Sequence, residues 1–136
     1  MTDMYLLDTN AISHAVRNPT GEVAVHIDRH RSAVMTSVIV ESEVRFGIAQ
    51  KPDSRVAGRV ERFLNNMTSL PFDADAARHY GDIRALLEAI GEPTDPMDTF
   101  IAAHARSLNA CLVTHNVSHF QRVPGLRWEN WQGEGS

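Results

Sequence analysis

Short apolar runs alternate along the chain with longer segments of helical spacing, and no other feature limits its fold so strongly. MYLL (4–7), AVMTS (33–37), LPF (70–72) and ACLVT (110–114) are too short for helices and read as strands, as does a last run near GLRWEN (125–130). Between them lie NAISHAVR (10–17), residues 21–30, VIVESEVRFGIAQ (38–50), SRVAGRVERFLNNM (54–67), residues 73–90 and DPMDTFIAAHARSLN (95–109). These repeat apolar residues at the intervals of amphipathic helices. Asn18-Pro19, Pro52 and Gly91 with Pro93 close three of them, and Pro96 opens the last at its first position. Strands separated by helices pair in parallel through right-handed crossovers. The expected fold class is therefore α/β, a three-layer α/β/α sandwich with a short parallel central sheet.

At 136 residues the chain has the length of one domain. Residues 1–132 are taken as that domain and GEGS (133–136) as a flexible tail. The single cysteine, Cys111, sits in the apolar run CLV and reads as a small buried thiol in a reducing compartment. No run approaches the roughly 20 apolar residues of a membrane span, and MTDMYLL lacks the basic start of a secretory leader, so a cytoplasmic protein is expected. A formal charge of -4 argues against bulk attraction to nucleic acid. Of 13 basic residues all but Lys51 are arginine, whose planar fork suits phosphate and carboxylate.

In a parallel sheet with helical crossovers, ligands gather beyond the carboxyl ends of the strands. Asp8, in LLDTN (6–10), ends the first strand at such a place. A helix cap would explain it, but Thr9 and Asn10 cap equally well, which leaves the charge of Asp8 without a necessary structural role. In VESEVRFG, Glu41 and Glu43 fall on different helix faces, and Glu43 borders the apolar stripe of Val40 and Val44. Asp95 and Asp98 have capping-box spacing, but Asp98 is a poorer back-reaching partner than a glutamate, so a chemical role stays open to it. LVTHN (112–116) repeats the opening pattern, a strand ending on Thr114, His115 and Asn116. Hard oxygen donors converging on one sheet edge suit Mg²⁺ or Mn²⁺ rather than zinc. The seven histidines show no zinc spacing, and phosphate-loop, serine-elbow and dinucleotide-glycine motifs are absent from the sequence.

LLDTN (6–10), SEVRFGIA (42–49), GEPTDPMDTFIAAHA (91–105) and LVTHNVSHFQRVPGL (112–126), taken in order, resemble the PIN domain of VapC toxins from type II toxin–antitoxin systems, in their enteric-type branch. The resemblance covers nearly the whole chain. It implies an Mg²⁺- or Mn²⁺-dependent endoribonuclease that hydrolyses RNA by a metal-activated water, leaving a 5′-phosphate and a 3′-hydroxyl. Carried over by position, it implies catalytic roles for Asp8, Glu43, Asp98 and Asn116, with Asp8 and Asp98 as metal ligands. Wider PIN domains often have aspartate where this chain has Asn116, which reduces the charge available to a second metal. Thr9, Ser42 and Thr114 are candidate supporting donors, and Arg17, Arg45 and the Arg55, Arg59 and Arg62 stripe are candidates for RNA phosphates. The implied substrate is initiator tRNA, cut in the anticodon stem-loop, with ribosomal RNA or another tRNA as the alternative. The implied partners are a VapB-type antitoxin, which reaches operator DNA only within the complex, and a second copy of the chain.

Two further readings compete. A phosphotransfer domain with Asp8 as nucleophile would resemble D-x-D, but Asn10 replaces the second acid and no lysine follows Lys51. A non-catalytic antitoxin- and operator-binding module has no need of Asp8, Glu43 and Asp98 together.

Overall fold

The apolar runs form one five-stranded sheet in which every neighbouring pair is parallel. The computed structural model describes residues 3–132; the tail 133–136, expected to be flexible, lies outside them. In chain order, β1 (Tyr5–Leu7) leads to α1 (Thr9–Arg17), α2 (Glu22–Arg29) and a short 3-10 turn at Arg31–Ala33. After β2 (Val34–Ser37) come α3 (Val38–Gln50), α4 (Arg55–Asn65), β3 (Ser69–Leu70), α5 (Ala74–Ala89) and α6 (Pro96–Ser107). The chain then forms β4 (Cys111–Val113), α7 (Val117–Phe120) and β5 (Arg127–Glu129). The three-layer α/β/α arrangement is as expected, with strand order β3-β2-β1-β4-β5. The order reverses between β1 and β4, and a sheet of this kind opens its ligand crevice at such a point.

The central strands are buried on both faces, as strands covered by helices must be. Leu6, Leu7, Leu112 and Val113 are almost wholly inaccessible and pack with Ile12, Val40, Ile83 and Ile101 from the surrounding helices. Side-chain caps set the helix starts. Asp8, Ser37, Ser54, Asp73 and Asp95 each accept a hydrogen bond from an N–H in the first turn that follows. Gly91 and Asn109, at positive φ, end α5 and α6 in the same way. The N–H groups of Gly91 and Glu92 return to Glu88 and Leu87, and those of Asn109 and Ala110 to Arg106 and Ala105. This is the paired closure of a Schellman turn, which glycine adopts freely and asparagine tolerates.

Two local expectations change. The strand placed at 70–72 lies at Ser69–Leu70, because β2 extends only far enough to pair Thr36 and Ser37 with those residues. Helix α7 was not foreseen, since its four residues are too few to show a period and are held by the burial of Phe120. Among the described residues no helix is long and apolar enough to cross a membrane.

The end of β2, where Ser37 caps α3, is joined to α6 by a buried polar contact. His104 Nδ1 lies 2.7 Å from Ser37 Oγ, which also accepts from the Ile39 N–H. The ring also packs edge-on against Phe72. Because Ser37 Oγ already accepts from Ile39, its hydroxyl proton can go to Nδ1, an arrangement that needs the neutral imidazole. Burial holds the His104 pKa below its usual value, against smaller opposing effects of Asp73 and Pro71. The unfolded chain then takes up a proton near pH 6.5 that the folded one refuses, so this contribution to stability is complete above pH 6.5 and is lost as the pH falls. Urea titrations of wild type and His104→Asn from pH 8 to 5 should show a smaller acid loss in the variant, which keeps an acceptor where Nδ1 stands.

Candidate active site

The site is built outward from the backbone of β1. Leu7 pairs with Val113, and the Asp8 N–H continues that ladder to the Val113 carbonyl at 3.1 Å, so Asp8 leaves the sheet where the strand order reverses. Its side chain turns back over α1, and Oδ1 accepts from the Ala11 N–H at 2.8 Å. The cap anticipated from the sequence is therefore present, yet the residue is only 3% exposed. Its pKa is pushed up to about 6, chiefly by burial. Hydrogen bonds from Thr114 and Ala11 favour the charged form, while Asp98 and Glu43 disfavour it. No cation figures among these influences. An acid in this setting is short of positive charge.

Glu43 is placed by α3 and held by its neighbour across the crevice, the Thr9 hydroxyl, which donates to Oε1 at 2.7 Å. Asp98 does not close the capping box that its spacing suggested. Asp95 caps α6 through the Met97 N–H, and Asp98 Oδ2 instead meets His119 Nδ1 at 3.0 Å. Glu43 on α3 and Asp98 on α6 both act electrostatically on Asp8 at the end of β1.

The remaining candidates differ in how they are used. Thr114 is 1% exposed, supports the charged form of Asp8 and accepts from the Asn116 N–H at 2.9 Å. The Asn116 side chain makes no capping bond to α7. Ser42 spends its hydroxyl on the Val38 carbonyl of its own helix. Arg45 is engaged by Glu41 at 2.6 Å and Glu61 at 3.2 Å, strapping α3 to α4. A groove of about 220 Å³ is lined by Thr9 and Glu43 and by the cations Arg17 and Lys51, not by Arg45. Lys51 and His119 were both missed. Lys51 lies at the far end of α3, and His119 was one of seven histidines with no spacing to single it out.

Among the described residues no three of His, Cys, Asp and Glu stand close enough to enclose an ion by themselves. Magnesium needs no such cage, being held commonly by one or two carboxylates together with water and substrate phosphate. An all-oxygen set with an uncompensated buried carboxylate fits that ion.

Asp8 also links the site to stability. A folded pKa of about 6 against 3.8 unfolded means that the stabilising proton is fully present below pH 3.8 and is lost as the pH rises through 6. At pH 7.5 the buried charge then costs about 3 kcal/mol, from a shift of about two units. Asp8→Asn retains an oxygen for the cap, so in EDTA at pH 7.5 it should unfold at higher urea than wild type, with the difference vanishing near pH 4. Equal midpoints at both pH values would contradict this.

The wider relationships agree with the geometry. The PIN-domain pattern matches residues 5–126. A Shigella flexneri protein named tRNA(fMet)-specific endonuclease VapC is 36% identical over 129 residues, or 93% of this chain and 97% of that one. The protein of the same name from Salmonella typhimurium is 34% identical over the same shares. The structure of VapBC2 from Rickettsia felis bound to a DNA fragment from its promoter matches with a TM-score of 0.86 at 30% identity, over 94% of this chain and 98% of that one. From the first strand, through the switch point, to the last turn before β5, this chain belongs to the PIN-domain family, in its VapC branch.

Proposed function

We propose that the protein is the toxin of a type II toxin–antitoxin pair, an endoribonuclease that cuts initiator tRNA in the anticodon stem-loop and so stops translation. One observation carries the reading. Asp8 is almost completely buried, is raised to about 6 with no cation to balance it, and lies within the electrostatic reach of Asp98 and Glu43. Such a cluster costs stability unless a divalent cation occupies it. The relatives named as tRNA(fMet)-specific endonucleases support the substrate. The relatives solved as DNA-bound VapBC complexes, one of them on a fragment of its promoter, support a VapB-type partner, through which the complex reaches its operator. A tRNA target puts the protein in the cytoplasm.

Asp8 and Asp98 would hold Mg²⁺ or Mn²⁺, which when bound lowers the pKa of water and offsets the charge of the scissile phosphate. Thr9 fixes one oxygen of Glu43 and leaves the other to orient a water molecule and take its proton. The water oxygen bonds to phosphorus, the bond from phosphorus to the 3′ oxygen breaks, and that oxygen leaves with a proton as a 3′-hydroxyl opposite a 5′-phosphate. Arg17 and Lys51, which line the groove with Glu43, meet the RNA backbone as it leaves the acids. Thr114 and the Ala11 N–H keep Asp8 ionised and aimed.

Purified protein incubated with total tRNA should cut it with Mg²⁺ or Mn²⁺ and not with EDTA, and sequencing of the new 5′ ends should place the cut in the initiator anticodon loop. Asp8→Asn and Asp98→Asn should be inactive, and Glu43→Gln should lose roughly 100-fold or more in kcat. Cleavage by Asp8→Asn at the wild-type rate would end the nuclease reading. Cuts confined to ribosomal RNA or another tRNA would replace the substrate and keep the chemistry.

A further inference from the structure

His119 is the only side-chain nitrogen that hydrogen-bonds any of the three acids among the described residues. Its Nδ1 lies 3.0 Å from Asp98 Oδ2, and because a carboxylate oxygen accepts, Nδ1–H donates. Asp98 Oδ1 makes no hydrogen bond to any described residue. The His119 side chain is 52% exposed, but both residues stand on anchored elements. Phe120, the next residue, is 1% exposed and fixes α7 to the core, while Asp98 sits in the first turn of α6 beside Thr99, itself buried. Helices α6 and α7 pack together, so the imidazole is delivered to the carboxylate by two anchored elements. An ordinary exposed ion pair contributes little. This one is made to an acid that acts on Asp8 and is 22% exposed.

We propose that His119 is a positioning residue that holds Oδ2 of Asp98 and so leaves a single oxygen, Oδ1, for a divalent cation. The inference rests on the assignment of Asp8 and Asp98 as ligands. Its consequence is selectivity as well as affinity. A carboxylate that offers one oxygen suits the small octahedral ions Mg²⁺ and Mn²⁺, whereas Ca²⁺ gains from binding a carboxylate by both oxygens. The bond needs only Nδ1–H, which neutral and charged rings can both carry, so the role does not depend on the charge of the imidazole. Partners that orient a ligand in this way commonly change metal affinity and activity together.

The test is Mn²⁺ binding to the full chain, followed by the loss of the free-ion electron paramagnetic resonance signal, with Ca²⁺ as competitor and melting curves as a check on folding. The variants are His119→Ala, His119→Asn and His119→Gln, with Asp8→Asn as the ligand control. His119→Ala should bind Mn²⁺ about 10- to 100-fold more weakly and lose discrimination against Ca²⁺, with kcat on tRNA falling and KM little changed. His119→Asn should recover most of both, because its amide nitrogen stands where Nδ1 stands. His119→Gln, with its donor one atom further out, should not. Wild-type Mn²⁺ affinity in His119→Ala, or no recovery in His119→Asn, would overturn the role of His119 while leaving the ligands intact. If wild type binds no Mn²⁺, or Asp8→Asn binds it equally well, the ligand assignment falls first and this inference with it.

Discussion

The carboxylate of Asp8 is withdrawn from water at the point where the parallel sheet reverses its strand order, and the surrounding structure is shaped by that burial. Two hydrogen bonds, from the Ala11 N–H and the Thr114 side chain, favour its charge, but burial outweighs them and the neighbouring acids add to the deficit. The sheet cannot relieve the strain by moving the residue. Asp8 continues the β1–β4 ladder through its own N–H and caps α1 through its side chain. A divalent cation is the simplest charge that would balance the site without changing the fold, and the oxygen-only donor set suits a hard one.

The other two acids depend on contacts outside the crevice. Glu43 and Asp98 ride on α3 and α6, and the cap of α3 is tied to α6 through Ser37 and His104. That tie is complete only while the imidazole is neutral, so the alignment of the acids rests on a buried group that resists protonation. Asp8 and His104 act on stability in opposite directions across the same mildly acidic range. Low pH relieves the buried acid and penalises the buried base, which keeps the fold and the charged site together near neutrality. Thr9 and His119 each hold one oxygen of an acid.

Much of the fold could be read from residue pattern because short strands and amphipathic helices have different periods, and caps such as Asp73, Asp95 and Gly91 mark their ends locally. Helix α3 spans the residues its pattern gave, 38–50. β3 and α7 were harder, since a two-residue strand exists only through pairing with β2, and a four-residue helix only through the burial of Phe120. Among site candidates, Asp8, Glu43 and Asp98 were legible as acids at strand ends and helix edges. Arg45 and Ser42 looked equally available until their partners, Glu41, Glu61 and the Val38 carbonyl, were known.

Sequence by itself determined which segments would be strand or helix, because backbone propensity, capping and hydrophobic period are properties of neighbouring residues. It also determined that hard oxygen donors would end two of the strands. Strand order, and with it the meeting of Asp8 and Thr114 at the switch point, was decided only in the tertiary structure. So were the buried state of Asp8, the tie between Ser37 and His104, and the choice of His119 over six other histidines as the partner of Asp98. The physical reason is common to all of them. Burial, electrostatic coupling and hydrogen bonding between residues far apart in the chain depend on distance in space, which no local pattern encodes.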